Sequence, residues 1–295
     1  MEIKECDVFC SVATKEIKTV IEWLIPSLEK QKNVKKINLF LINYTGKNRI
    51  YAGPNESGMV NIEEINSGKE LGFGEAHNFA FNEIKPKKYF LIINPDVYLH
   101  EDCICEMVEK IKSDEKIGIV EARQLPFEHP KEYDRVTGET PWASGFGILV
   151  KSEFFEKVGG FDEDFWMYCE DVDLSWRAWL DEYSVVCCNS AIGYHYTGNY
   201  FEYRNDRYYL EHFWSSRNFL YLAYKYFGNS GFDSAKKYLS DTSYPDNFKK
   251  EVLSAFNEMD KKQATLFFAK NKNKITELNK KIKINGFNQY HDLMR

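Results

Sequence analysis

The chain reads as an α/β protein, with a mostly parallel central sheet flanked by helices and a C-terminal helical appendage. Two observations predict this. Short apolar runs of strand character alternate with segments of helical spacing from Asp7 to Cys188. Such alternation builds a parallel sheet with helices on both faces. After Tyr200 the strand signals stop, and aromatic, then lysine-rich helical spacing replaces them.

Asp7 to Val12 is the first expected strand. Ile17, Val20, Ile21, Leu24, Ile25 and Leu28 then recur at helical spacing. Ile37 to Ile42 is almost continuously apolar, as expected of a strand buried on both faces. It runs into N-Y-T-G, which is turn chemistry, and the stretch to Gly58 is loop-like. Asn61 to Ile65 is a weaker third strand. Gly68, Gly72 and Gly74 precede a short helix through Ala76, Phe79 and Ala80. Glycines there let a backbone approach a phosphate or a ring closely. Tyr89 to Ile93 is a strand followed at once by N-P-D. Glu101 to Lys112 is an expected helix and Ile117 to Ala122 a strand.

Gln124 to Pro141 is irregular and reads as a crossing between the two halves of the domain. Gly145 to Val150 is a strand, with Ser152 as N-cap of a helix over 153–158. Asp171 or Val172 begins a helix through Trp179, and Ser184 to Cys188 is a strand leading to His195. Tyr208 to Phe227 is aromatic and helical. From Phe232 onward, twelve lysines and one arginine face eight acids, a local excess of positive charge in a chain of net charge −6. That basic surface is the expected place for contact with an anionic membrane, or for pairing of two copies, although a solvated helix face is the commoner reason for such a run.

The overall acidity excludes a chain built to coat nucleic acid. Cys6, Cys10, Cys103, Cys105, Cys169, Cys187 and Cys188 form no C-x-x-C and follow no targeting segment. Reduced, buried thiols in a cytoplasm are expected. Adjacent Cys187 and Cys188 point to opposite faces of a strand, which argues against a zinc site shared with His195. No apolar run approaches the ~20 residues of a membrane helix.

Ligands of an open parallel sheet lie at the carboxyl ends of its strands. Ala13-Thr14, Asn43-Tyr44 and Asn94-Pro95-Asp96 sit there. Asp96 could hold a divalent cation against a diphosphate, with a neutral His195 adding a nitrogen ligand; Mn2+ or Mg2+ suits such a shell. Asp162, Glu163, Asp164, Glu170, Asp171 and Asp173 are interleaved with Phe161, Phe165, Trp166, Met167 and Tyr168. Acids among large apolar residues suggest a cleft wall, where a carboxylate can gain the proton affinity of a general base. A turn followed by the acidic first turn of a helix accounts for part of the run. Trp142, Gly145, Phe146, Trp166 and Tyr168 are candidates to shape an acceptor pocket.

The segments L-G-F-G-E-A-H-N, L-I-I-N-P-D-V, W-A-S-G-F-G-I-L-V, V-G-G-F-D-E-D-F-W-M-Y-C-E-D-V-D-L-S-W-R and the later histidine resemble glycosyltransferase family 2, in its bacterial rhamnosyltransferase-like branch. The resemblance implies a GT-A fold and inverting transfer of a sugar from a dTDP- or UDP-linked donor to a glycan or lipid-linked glycan of the bacterial surface. It places N-P-D where the family has D-x-D, so that Asp96 binds the metal, with His195 joining it. Asp171 matches the general base, with Glu170 beside it. Ala13, Thr14, Asn43, Asn94 and the stretch containing Gly72, Gly74 and Asn78 match donor-contacting positions. N-Y-T-G departs from the family's D-N-G-S or D-D-G-S, and the D-x-D is reduced to its last acid. The implied domains are 1–203, with the donor half at 1–105 and the acceptor and catalytic half at 106–203, and a helical region at 204–295. A cytoplasmic protein, peripheral at the inner membrane face, follows from the same resemblance.

Three other readings compete. A glycoside hydrolase with two carboxylates needs neither metal nor nucleotide and leaves N-P-D and His195 without a role. A sugar-nucleotide-forming enzyme needs a basic, glycine-rich loop near the N-terminus, and S-V-A-T-K is a poor one. A non-catalytic sugar-nucleotide-binding scaffold accords with Asn43 in place of an acid, and less well with Asp96, Asp171 and His195 all being present.

Overall fold

The computed structural model describes residues 3–14, 17–44, 49–129, 131–196 and 205–282, with the backbone alone at 3–7, 205–208 and 281–282. β1 (Ile3–Thr14) leads into α1 (Ile17–Thr19), a π-helical stretch Val20–Leu24 and α2 (Ile25–Glu29). β2 (Val34–Asn43), a two-residue β3 (Glu56–Ser57) and β4 (Val60–Asn66) follow, then α3 (Phe73–Ile84), β5 (Tyr89–Ile93) and β6 (Val97–Leu99). Next come α4 (Cys103–Ser113), β7 (Ile117–Leu125), β8 (Gly147–Lys151), α5 (Ser152–Lys157), α6 (Glu170–Leu180) and β9 (Ser184–His195). The chain closes with α7 (Asn205–Asp241), α8 (Asp246–Glu258) and α9 (Lys262–Ile282).

The strands form one sheet in the order β3-β4-β2-β1-β5-β8-β7-β9-β6. The run β4-β2-β1-β5 is parallel, as the alternation predicts, and so is the pair β7–β9. The other half is mixed, because β8 runs antiparallel between β5 and β7. The reason is the irregular stretch between β7 and β8. It was expected to cross between the halves of the domain, yet it joins two neighbouring strands at one end of the sheet. A strand that re-enters from the end it left must run antiparallel, and it needs no crossover helix.

Two hydrophobic clusters cover the two faces. One packs Val20, Leu24, Leu28, Ile104 and Val108 against Val8, Cys10, Leu39 and Leu41. The other packs α3, α5 and α6 on the opposite face and continues through Phe219, Leu220, Tyr221 and Tyr226 of α7 into Val252, Phe256 and Ile275. The C-terminal helices therefore share the core of the sheet domain. The boundary expected between 203 and 204 falls outside the described residues. Gly228, at φ 63° and ψ −150°, breaks α7 into two arms.

Ser152 does not cap α5 as expected. Helical geometry starts at Ser152 itself, Lys151 occupies the cap position without a side-chain bond, and the Ser152 hydroxyl is buried without a partner among the described residues. Cys10, Cys103, Cys105, Cys169, Cys187 and Cys188 are buried free thiols. Among the described residues no helix is long and apolar enough to cross a membrane.

Candidate active site

The carboxyl ends of the parallel strands gather the first group of residues. Ala13 pairs with Ile42 and Thr14 with Asn43 across β1 and β2. Thr14 and Asn43 are buried. Asn43 Nδ2 donates to Glu64 Oε1 at 2.7 Å, and the Glu64 carboxylate also accepts the backbone N–H groups of Ile50 and Tyr51. Glu64 thus ties the end of β2 to the loop after it.

One sheet register further on, Asn94 N donates to Phe146 O at 2.9 Å. β6 pairs with the end of β9, setting Val97 opposite His195. This folds Asp96 onto the imidazole: Asp96 Oδ1 lies 3.2 Å from His195 Nε2, with both side chains partly open to solvent. Asn94 Nδ2 is 3.2 Å from the same Nε2, and His195 Nδ1 is 3.3 Å from Gln124 Oε1. The Phe146 ring stacks on the imidazole at 5.6 Å. A neutral imidazole with its hydrogen on Nδ1 donates to Gln124 and turns the Nε2 lone pair toward the carboxylate. One carboxylate oxygen and one imidazole nitrogen, partly open and aimed at each other, fit a divalent cation.

Asp171 opens α6. Its Oδ2 accepts Gly145 N at 2.9 Å and its Oδ1 accepts Val172 N at 2.8 Å. Ser175 Oγ donates to Asp171 O at 2.7 Å and accepts Ala143 N at 3.0 Å, which fixes α6 against the segment before β8. Gly145 is the meeting point. It holds Asp171, while the next residue, Phe146, bonds Asn94 and stacks on His195. The two halves of the expected site are thus joined through consecutive residues.

The two acids at the helix start differ. Glu170 is buried and its Oε2 has no partner among the described residues. Burial, and then the charge of Asp171, push its pKa well above the ordinary range. Burial also raises Asp171, but the N–H groups of Gly145 and Val172 stabilise its anion and hold it back. Of the pair, Glu170 therefore keeps a proton more readily and Asp171 carries the charge. Lys131 adds a nearby positive charge. It is paired with Glu121, donates to Trp142 O at 2.8 Å and sits 4.2 Å above the Trp142 ring. Trp142 is itself buried. The Lys131 ammonium thus covers a ring that is already within the core. Trp166 and Tyr168 are half-buried, with Trp166 packed at 6.3 Å on Trp214 of α7.

Gly72, Gly74 and Asn78 serve the protein's own chain. A Cβ at Gly72 would come within 2.4 Å of Trp166 O, and one at Gly74 within 2.7 Å of Phe161 Cβ. Asn78 donates to Phe161 O and Glu163 Oε1 and accepts Phe161 N. The close approach foreseen for a phosphate is here an approach of α3 to residues 161–166. These contacts pack the start of α3 against residues 161–166.

The acid-rich run divides. Asp162 pairs with Lys225 at 2.6 Å, Asp164 accepts Tyr221 Oη at 2.7 Å, and Asp173 pairs with Lys225 at 2.5 Å and Arg177 at 2.7 Å. Burial alone would raise Asp173, but Lys225 and Arg177 outweigh it and hold the carboxyl below its usual range. Tyr168 and Cys169, at φ 71° and 69°, turn the chain in the left-handed region just before Glu170. Such a conformation costs about 1–2 kcal/mol per non-glycine residue. Glu121, Gln124, Lys131 and Ser175 were not expected at the site, whereas Asn218 lies in S-S-R-N-F-L-Y-L, through which the family resemblance continues more weakly. Of the former, Glu121 alone left a signal, as a carboxylate inside the apolar run I-G-I-V-E-A.

Among the described residues, a nine-stranded mixed sheet with helices on both faces gives the chain a GT-A-like fold. The mannosyltransferase PcManGT of Pyrobaculum calidifontis, solved in complex with GDP-Man and Mn2+, shares it with a TM-score of 0.56 at 12% identity, over 96% of this chain and 89% of that one. Residues 59–176 match the model of the glycosyl transferase family 2. The chain is 27% identical over 146 residues to rhamnosyltransferase WbbL of Escherichia coli, covering 38% of this chain and 55% of that protein. It is 50% identical over 46 residues to the N-acetylglucosaminyl-diphospho-decaprenol L-rhamnosyltransferase of Mycobacterium tuberculosis, covering 14% of this chain and 15% of that protein. The chain thus spans about half the length of the first of these relatives and less of the second.

Proposed function

We propose that the chain is an inverting, metal-dependent glycosyltransferase that moves a sugar from a nucleoside diphosphate to a hydroxyl of a glycan or lipid-linked glycan. The observation that carries this reading is the junction at Gly145-Phe146, which holds the Asp171 carboxylate on one side and the Asp96–His195 pair on the other. Asp96 Oδ1 and His195 Nε2 would hold Mn2+ or Mg2+, and the bound cation would offset charge gathering on the leaving diphosphate. Asp171 accepts the acceptor's O–H proton as that oxygen forms its bond to the anomeric carbon and the carbon–oxygen bond to the diphosphate breaks. Gly145 N–H keeps the carboxylate aimed, and Glu170, holding its proton, adds no second charge. With base and leaving group on opposite sides of the anomeric carbon, configuration inverts.

The names of the two relatives support dTDP-rhamnose as the first donor to try, ahead of UDP-sugars. The mycobacterial relative's name supports a polyprenyl-diphosphate-linked acceptor, which would bring the protein to a membrane surface from the cytoplasmic side. The test is release of nucleoside diphosphate from each donor, with a lipid-linked N-acetylglucosamine and Mn2+ or Mg2+. Asp171→Asn should cut turnover by roughly 10²–10⁴-fold while sparing donor binding. Near-normal turnover in that variant would remove Asp171 as base, and donor binding by the native chain without turnover would favour the scaffold reading.

A further inference from the structure

We infer that Asn218 of α7 is a positioning residue for the reaction, holding the left-handed turn that aims Glu170 and Asp171. The inference rests on the transferase reading above, and it uses residues outside the 59–176 stretch matched by the family. Asn218 is fully buried. Its Nδ2 donates to two consecutive carbonyls, Met167 O at 2.6 Å and Tyr168 O at 2.7 Å. Both amide hydrogens are thereby committed to the turn at Tyr168 and Cys169, which stand at φ 71° and 69°. Non-glycine residues hold that conformation only where the surroundings impose it.

Asn218 does not act alone. Its Oδ1 accepts Arg217 Nη1 at 2.5 Å, and the same Nη1 donates to Asp164 O at 2.7 Å. Tyr221 bonds Asp164 Oδ2, and Lys225 bonds Asp162 Oδ2. Positions 217/218, 221 and 225 recur at helical spacing and so share one face of α7. That face grips the segment 162–168 along its length. The chain leaves this grip through Cys169 and enters α6 at Glu170, where Asp171 must meet Gly145 N–H. The aim of the base is therefore set from the C-terminal helix, and a misplacement of about 1 Å can cost roughly 10²-fold in rate.

The test compares native chain with Asn218→Ala and Asn218→Asp, the latter keeping volume but removing both donors. Expected are a kcat lower by about 10²-fold, a donor dissociation constant within about threefold of native (about 0.65 kcal/mol), and faster amide exchange confined to 162–172 and absent from β4. Adding Cys169→Gly, which takes a positive φ without strain, should recover about tenfold in kcat; a role in stability alone would not respond this way. Should both variants fail to fold, Asn218→Ser, which keeps one donor, should lose about tenfold. Native kcat in any folded variant, or exchange at 162–172 equal to native, overturns the inference. If the native chain itself turns over no donor, the transferase reading fails instead, and amide exchange alone still decides whether Asn218 holds the turn.

Discussion

Replacing Lys225 with methionine removes the cation at the centre of a buried charge cluster while nearly preserving side-chain volume. Lys225 is buried, 2.6 Å from Asp162 and 2.5 Å from Asp173, and Asp173 also holds Arg177 at 2.7 Å and the Tyr226 hydroxyl at 3.2 Å. Without the lysine, two carboxylates share one arginine. Breaking a buried pair from one side costs about 3–5 kcal/mol. Asp162 is 20% exposed, and water there can replace part of the loss, so the lower figure applies. About 3 kcal/mol lowers the melting temperature by roughly 5 °C for a chain of this size. The pH dependence carries a sign. In the native chain Asp173 sits below its ordinary range, so its contribution is present above the unfolded pKa and lost as pH falls through the folded one. In Lys225→Met the carboxyl rises, the folded chain takes up a proton more readily, and the deficit against native narrows as pH falls from 7 toward 4. Thermal unfolding of both proteins across that range measures this. Melting within about 1 °C of native at pH 7, or a deficit that widens on acidification, would refute the reasoning.

Asp96→Ala should abolish the Mn2+-dependent part of donor binding, measured by calorimetry with and without the metal; unchanged affinity with Mn2+ would remove Asp96 from the metal site. Gly72→Ala tests the packing of α3 on residue 166: the backbone at Gly72 tolerates alanine, but the added methyl meets Trp166 O at 2.4 Å. A loss of about 1–3 kcal/mol from overpacking, read by denaturant unfolding, is expected, together with reduced turnover because the displaced segment leads to Asp171. Burial raises the Asp171 carboxyl and Lys131 draws it down. The acid limb of kcat/KM should therefore lie above the ordinary carboxylate range, with activity falling as pH drops through it. Removing the cation in Lys131→Met should move that limb to higher pH.

Much of the strand layout was legible because parallel strands buried on both faces are written as apolar runs, and β5 was bounded at Tyr89 and Ile93 as expected. β6 was not legible: Val97–Leu99 is three residues long, and its identity as a strand depends on pairing with the distant end of β9. The direction of β8 was hidden for a like reason, since sheet neighbours are chosen by packing and not by spacing in the chain. At the site, Asp96, Asp171 and His195 carried signals in their motifs. Gly72 and Gly74 carried a signal of close backbone approach, and the groups that approach there include Trp166 O and Phe161, which lie far away in the chain.

The order of residue types by itself determined an α/β sheet domain, an acid after the strand ending at Ile93 and an acidic helix start, because periodicity and local turn chemistry act over a few residues. Only the tertiary structure decided which of the clustered acids are free to act. Asp162 and Asp173 are committed to Lys225, and Asp164 to Tyr221, partners that lie next to them only once α7 has packed on the sheet domain. The charge state of a carboxylate is set by what surrounds it in space, and that surrounding is assembled from residues far apart along the chain.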